Sequence, residues 1–147
     1  ASQKVGQSAA PLFLDRIDIQ CEITPVPFKD ISKAAPGEPS ANIRERVIKA
    51  REIQAARYKD YKGIHCNAQM TERMIHQFAE PNEAGIDMLR MAMEKLSLSA
   101  RAYSRILKVA RTIADLEGCE HVELHHLAEA IGYRALDRGD WAERGHI

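Results

Sequence analysis

Several absences narrow the chemistry before any motif is read. Aromatic residues make up 5% of the 147 positions, with a single tryptophan, so there are few flat surfaces on which nucleobases could stack. Lysine plus arginine balance aspartate plus glutamate, 21 against 21. No global pull toward nucleic acid or an anionic membrane follows from net charge. Three cysteines, Cys21, Cys66 and Cys119, are too few and oddly numbered for a disulfide framework. Reduced thiols in a cytoplasmic protein are the simplest expectation. No apolar run is long enough to cross a bilayer, and residues 1–10 contain no apolar stretch of the signal-peptide type, so no membrane partner is expected. No Gly-x-x-x-x-Gly-Lys-Ser/Thr occurs, nor a nucleophile elbow, nor His-Glu-x-x-His. The chain by itself is not expected to be a self-sufficient enzyme.

What is present is mostly helical pattern. Residues 17–23 alternate apolar Ile17, Ile19, Cys21 and Ile23 with polar Asp18, Gln20 and Glu22, the period of a half-buried strand. One strand cannot satisfy its own backbone, so its sheet is expected to belong to a part of the protein preceding these residues. Residues 1–24 then read as the end of an α/β core. Residues 25–39 read as a linker, because Pro25, Pro27, Pro36 and Pro39 resist helix.

A helical domain is expected over 40–136, followed by a tail, 137–147. Its first helix starts with Ser40 as cap and uses Ile43, Val47, Ala50 and Ile53 as its apolar face. Thr71 caps a helix over 72–79, and Ile86, Leu89, Met93 and Leu96 mark a third. Ser99 caps a fourth, with Ala102, Ile106, Val109, Ile113 and Leu116 as its stripe and Gly118 as its stop. The last spans about 123–136 and buries Leu124, Leu127 and Ile131. The fold class expected is mainly α, a small helical bundle attached to the end of a sheet.

Arg101 stands out on physical grounds. It falls in the first turn of the fourth helix, where the macrodipole makes a cation unfavourable by about 0.3–1 kcal/mol. Free N–H groups together with a guanidinium suit an anion, phosphate above all. The plainer reading is a solvated basic face continued by Arg105, Lys108 and Arg111. Arg16, beside Asp15, taken alone suggests only a surface ion pair. Cys119, His121, His125 and His126 cluster in sequence, but their spacing matches no standard zinc module, so no metal site is expected.

The run Pro11 to Ile19 (PLFLDRIDI) and the run Leu98 to Gly118 (LSARAYSRILKVARTIADLEG) resemble the magnesium-chelatase-like AAA+ ATPases, in particular bacterial competence-associated members. So do Ile43-Arg44-Glu45-Arg46-Val47, Asn67-Ala68-Gln69-Met70 and His126-Leu127-Ala128-Glu129-Ala130-Ile131. These segments span about 11–141, in order.

The resemblance implies the C-terminal helical lid of such an ATPase. It implies that Arg16 matches the arginine finger, with Asp15 as its interface neighbour. Arg101, with Arg105 following it, matches the sensor-2 arginine that contacts nucleotide phosphates. It further implies ATP or ADP with Mg²⁺ in the parent protein, a ring of identical subunits, and DNA as substrate in preference to a metal-porphyrin. The alternative class is a non-enzymatic helical nucleic-acid-binding module using the basic faces around Arg44–Arg57 and Arg101–Arg111. A plain protein-interaction bundle is a third.

Overall fold

The computed structural model describes residues 15–134. Six helices are found there: α1 (Phe28–Ile31), α2 (Ser40–Tyr58), α3 (Glu72–Phe78), α4 (Glu83–Leu96), α5 (Ala100–Glu117) and α6 (Leu124–Gly132). A single 3₁₀ turn, Asn67–Gln69, lies between α2 and α3. The expected mainly helical class is what is seen. The expected tail lies outside the described residues, and the last helix, expected to reach about 136, ends at Gly132 with Tyr133 as its C-cap. No helix among the described residues is long and apolar enough to cross a membrane.

Three caps follow the side-chain chemistry of their positions. The Thr71 hydroxyl accepts from Met74 N, Asn82 Oδ1 from Gly85 N, and the Ser99 hydroxyl from Ala102 N. Gly118, at φ 75°, takes the left-handed conformation that ends α5. Pro39 occupies the cap position of α2, with Ser40 already inside the helix. The proline-rich connector also holds one exposed turn of helix, α1, entered from Pro27.

Residues 17–23 form no strand. A strand is defined by its ladder, and among the described residues no other strand is present to supply one. Ile23 is 91% exposed, so the alternation read from the sequence has no buried side here. The segment 15–20 instead lies against the helices, with Gln20 N donating to the Tyr133 carbonyl at 2.9 Å.

The core gathers around α5. Ala102, Ile106, Leu107, Ala110 and Ala114 of that helix are buried with Ile75, Leu89 and Leu127 from α3, α4 and α6. The expected stripe of α5 is rotated relative to this face. Val109 and Ile113 are half-buried and Leu116 is exposed, because they wall a groove rather than the core. α2 also departs from expectation. Its buried residues are Ala50, Gln54 and Tyr58, whereas Ile43, Val47 and Ile53 are exposed. Only its C-terminal half packs on the bundle.

α6 approaches α4 closely at Gly85, where an added Cβ would lie 2.6 Å from Pro81 Cβ and 2.8 Å from Leu127 Cδ1. Leu127 of α6 is buried, Ile131 is partly buried and Leu124 is exposed. His126 and Ala130 take the remaining buried places.

Candidate functional site

Geometry at the N-terminus of α5 is set by side chains from both ends of the described chain. The Ser99 hydroxyl caps the helix and donates to Asp15 Oδ1 at 2.9 Å. This bond holds the Asp15–Arg16 turn against the start of α5, two residues from Arg101. Alongside runs an open groove of about 770 Å³, walled by Arg101, Arg105, Lys108, Ile19, Ile113 and Tyr133, among others.

The cations of this groove differ in what they already touch. Arg46 is paired with Glu38. Arg105 is paired with Asp18 at 2.7 Å and also donates to the Arg16 carbonyl at 3.0 Å. Lys108 Nζ donates to the Ala68 carbonyl at 3.2 Å. Arg101 is exposed and makes no hydrogen bond or ion pair among the described residues, and the same holds for the side chain of Arg16. The groove carries acids as well, Glu72, Glu117 and Glu129, and Glu72 is engaged by the Ser104 hydroxyl at 2.8–2.9 Å. The site is therefore a mixed-charge groove with one uncommitted guanidinium at a helix start, suited to a single anionic group.

Residues 37–134 match the family described as "Magnesium chelatase, subunit ChlI C-terminal". The chain belongs to this family. It is 43% identical over 127 residues to the competence protein ComM of Haemophilus influenzae, covering 86% of this chain and 24% of that protein. It is 41% identical over the same length to the uncharacterized protein YifB of Escherichia coli, with the same coverage. To the uncharacterized protein Mb2921c of Mycobacterium bovis it is 32% identical over 130 residues, covering 88% and 25%. The chain thus spans about a quarter of the length of these relatives. Arg101 and Arg105 fall inside the stretch matched to the family, while Asp15 and Arg16 precede it.

In this member of the ChlI C-terminal family, the opposite end of α5 carries a buried ionic hub that sequence reading missed. Asp115, with a fully buried side chain, takes two bonds from Arg57 at 2.8 and 2.5 Å, one from Arg111 Nε at 3.1 Å and one from Asn67 Nδ2 at 2.9 Å. Arg111 donates onward to the carbonyls of Phe78, Glu120 and Cys119. Asn67 accepts from the Tyr58 hydroxyl at 2.7 Å, and its own N–H donates to Gln54. Burial pulls the Arg111 guanidinium below its usual range, against Asp115. Burial acts likewise on Arg57, but its bonds to Asp115 outweigh it and the net direction is up. The i,i+4 spacing of Arg111 and Asp115 was the available signal.

The histidines resolve differently from the zinc test. His125 and His126 both meet Glu117 Oε2, at 2.8 and 2.5 Å, so the trio that gathers includes neither Cys119 nor His121. His126 Nδ1 accepts from the Glu123 backbone N–H at 2.9 Å. A neutral His126 then carries its proton on Nε2 and donates it to Glu117. A metal at Nε2 would need that proton moved to Nδ1, against an N–H donor. The cluster's geometry is that of a helix cap, and it holds the Glu117 carboxyl below its ordinary value of 4.5, chiefly through the His125 and His126 hydrogen bonds.

Proposed function

We propose that this chain is the C-terminal lid of an oligomeric AAA+ ATPase, reached at residue 40 through a proline-rich linker from the end of the ATPase core. Arg101 contacts the phosphates of bound nucleotide, and Arg16 serves as an arginine finger at the subunit interface with Asp15 as its neighbour. The observation carrying this reading is the state of the groove's arginines. Of the three arginines that line the groove, Arg46 and Arg105 are neutralised within the chain and Arg101 is left uncommitted by the described residues, at the first turn of an 18-residue helix. Such a placement costs stability and is rewarded only by an anion.

ATP with Mg²⁺ is the substrate this chemistry implies. Phosphoryl transfer spreads charge over the γ-phosphate oxygens, and an arginine aimed there can be worth about 10³–10⁵ in rate. The chain's own part is to supply two guanidiniums and to hold them. The triphosphate cradle and the acids that hold Mg²⁺ lie with the preceding core, since these 147 residues carry no P-loop. The isolated chain therefore binds nucleotide weakly and does not hydrolyse it.

The process served is DNA handling in the cytoplasm. The likeness to a protein named for competence supports that substrate. The rival module that binds nucleic acid through basic helix faces is disfavoured by the zero net charge and by the acids that share the groove.

The test is ATP turnover by the full-length protein carrying this chain, wild type against Arg101→Ala and Arg16→Ala. Each substitution is expected to lower turnover by about a hundredfold or more with the oligomer intact. Unchanged turnover in both would overturn the assignment and return the basic faces to consideration.

A further inference from the structure

Arg16 is flanked by an arrangement the sequence gives no hint of. Three consecutive carbonyls, those of Asp15, Arg16 and Ile17, each accept from an arginine of the helical bundle. Arg134 Nη2 reaches the Asp15 carbonyl at 3.0 Å, Arg105 Nη1 reaches the Arg16 carbonyl at 3.0 Å, and Arg134 Nη1 reaches the Ile17 carbonyl at 3.3 Å. The Asp15 carboxylate adds a bond from Ser99 and a contact of 3.5 Å with Arg134. The segment is closed further by Gln20, whose backbone N–H meets the Tyr133 carbonyl.

Arg134 is 1% exposed. Arginine is rarely buried to this degree unless its donors are engaged, and the Ile17 and Asp15 carbonyls engage its Nη1 and Nη2. Two guanidiniums, one from α5 and one from just beyond α6, thus fix the main chain on both sides of Arg16 while leaving its side chain free.

We propose that Arg134 and Arg105 are positioning residues that clamp the Asp15–Ile17 turn to the helical bundle, so that Arg16 moves with the lid rather than with the core that precedes it. The inference rests on the reading of Arg16 as an arginine finger. Its consequence is mechanical. A lid displaced by nucleotide at one site, through Arg101 at the start of α5, carries with it the guanidinium that serves a neighbouring site. The two arginines are coupled through Ser99, Asp15 and Arg105 over a short, rigid path. On this account Arg105 belongs to the clamp and not to the nucleotide.

Two measurements test the clamp separately from the finger. In this chain, residue-resolved amide exchange of Gln20 reports whether the segment is docked. Arg134→Gln and Arg105→Gln are expected to accelerate it by about tenfold or more, with the α5 core amides of Ile106 and Leu107 unchanged. Arg105 is only partly buried, so its variant remains informative if loss of buried Arg134 unfolds the domain. Gln20 exchange that neither variant alters overturns the clamp.

In the full-length ATPase, both variants are expected to lower kcat by about tenfold or more at unchanged KM for ATP. Arg134→Gln added to Arg16→Ala is expected to cost nothing further, since both act through one group. Should Arg16→Ala abolish turnover while both clamp variants keep wild-type kcat, the clamp fails and the finger stands. Should Arg16→Ala itself be silent, the finger fails, and Gln20 exchange still decides whether the turn is held.

Discussion

Two arginines on one helix, Arg101 and Arg111, have opposite fates. They lie ten residues apart on α5, about 15 Å along its axis. Arg111 is 2% exposed, and its guanidinium is occupied by Asp115 and three backbone carbonyls. Arg101 is exposed and holds nothing among the described residues. At one end the charge is consumed in joining α2, the 3₁₀ turn and α5; at the other it is available to something outside the chain. Residue type does not distinguish the committed arginine from the uncommitted one here; the partners already present do.

The sharpest way to break the comparison is at Asp115. Removing that carboxylate leaves Arg57 and Arg111 facing each other with their shared counter-charge gone. Loss of one partner from a buried ionic group costs about 3–5 kcal/mol. Asp115→Ala is therefore expected to lower the unfolding free energy by that amount in urea titration of the chain. A loss under about 1 kcal/mol would mean the hub is solvated in solution. Next in size is Asn67→Ala. It strands the Tyr58 hydroxyl and removes one of the donors to Asp115, and unsatisfied buried groups cost about 1–3 kcal/mol each. The same titration reads it.

How much of this was legible follows from distance along the chain. Caps at Thr71 and Ser99, the stop at Gly118 and the helical class are local signals, and the structure has all of them. The hub is not local. Arg57 and Asp115 are 58 positions apart, and a charged residue in sequence looks the same whether solvated or buried. The strand expected at 17–23 failed because alternation describes a propensity to pair, and pairing needs a partner strand that the described residues do not contain. On α2, apolar spacing marked Ile43 and Val47 as core, but only the later turns meet another helix. Arg101 was singled out by helix position together with the family resemblance. The clamp on residues 15–17 was invisible, since it is made of backbone carbonyls, which every sequence has.

The C-terminal end of α5 is also expected to respond to acid. Glu117 is held below its ordinary 4.5 by hydrogen bonds from His125 and His126. A carboxyl with a depressed folded value contributes stability that is present above its ordinary value and lost as pH falls through the folded one. The thermal midpoint is expected to drop as pH is lowered below about 4.5, and Glu117→Gln is expected to flatten part of that fall. The group is exposed, so the difference is small, and it is read by comparing the two pH profiles of the midpoint. Identical profiles would remove Glu117 from the cap.

The smallest effect on stability is the most telling. Arg101→Ala deletes a cation from the first turn of a helix, where the macrodipole opposes it, and breaks no bond within the described residues. Alanine also has the higher helix propensity. The chain is expected to be unchanged or stabilised by up to about 1 kcal/mol, measured in the same urea titration that shows Asp115→Ala collapsing. A residue whose removal left the fold no worse, yet abolished ATP turnover in the full-length protein, would be held there for its ligand. If Arg101→Ala instead destabilised the chain by as much as the hub variants, its guanidinium would be structural. The contrast between the two ends of α5 would then disappear.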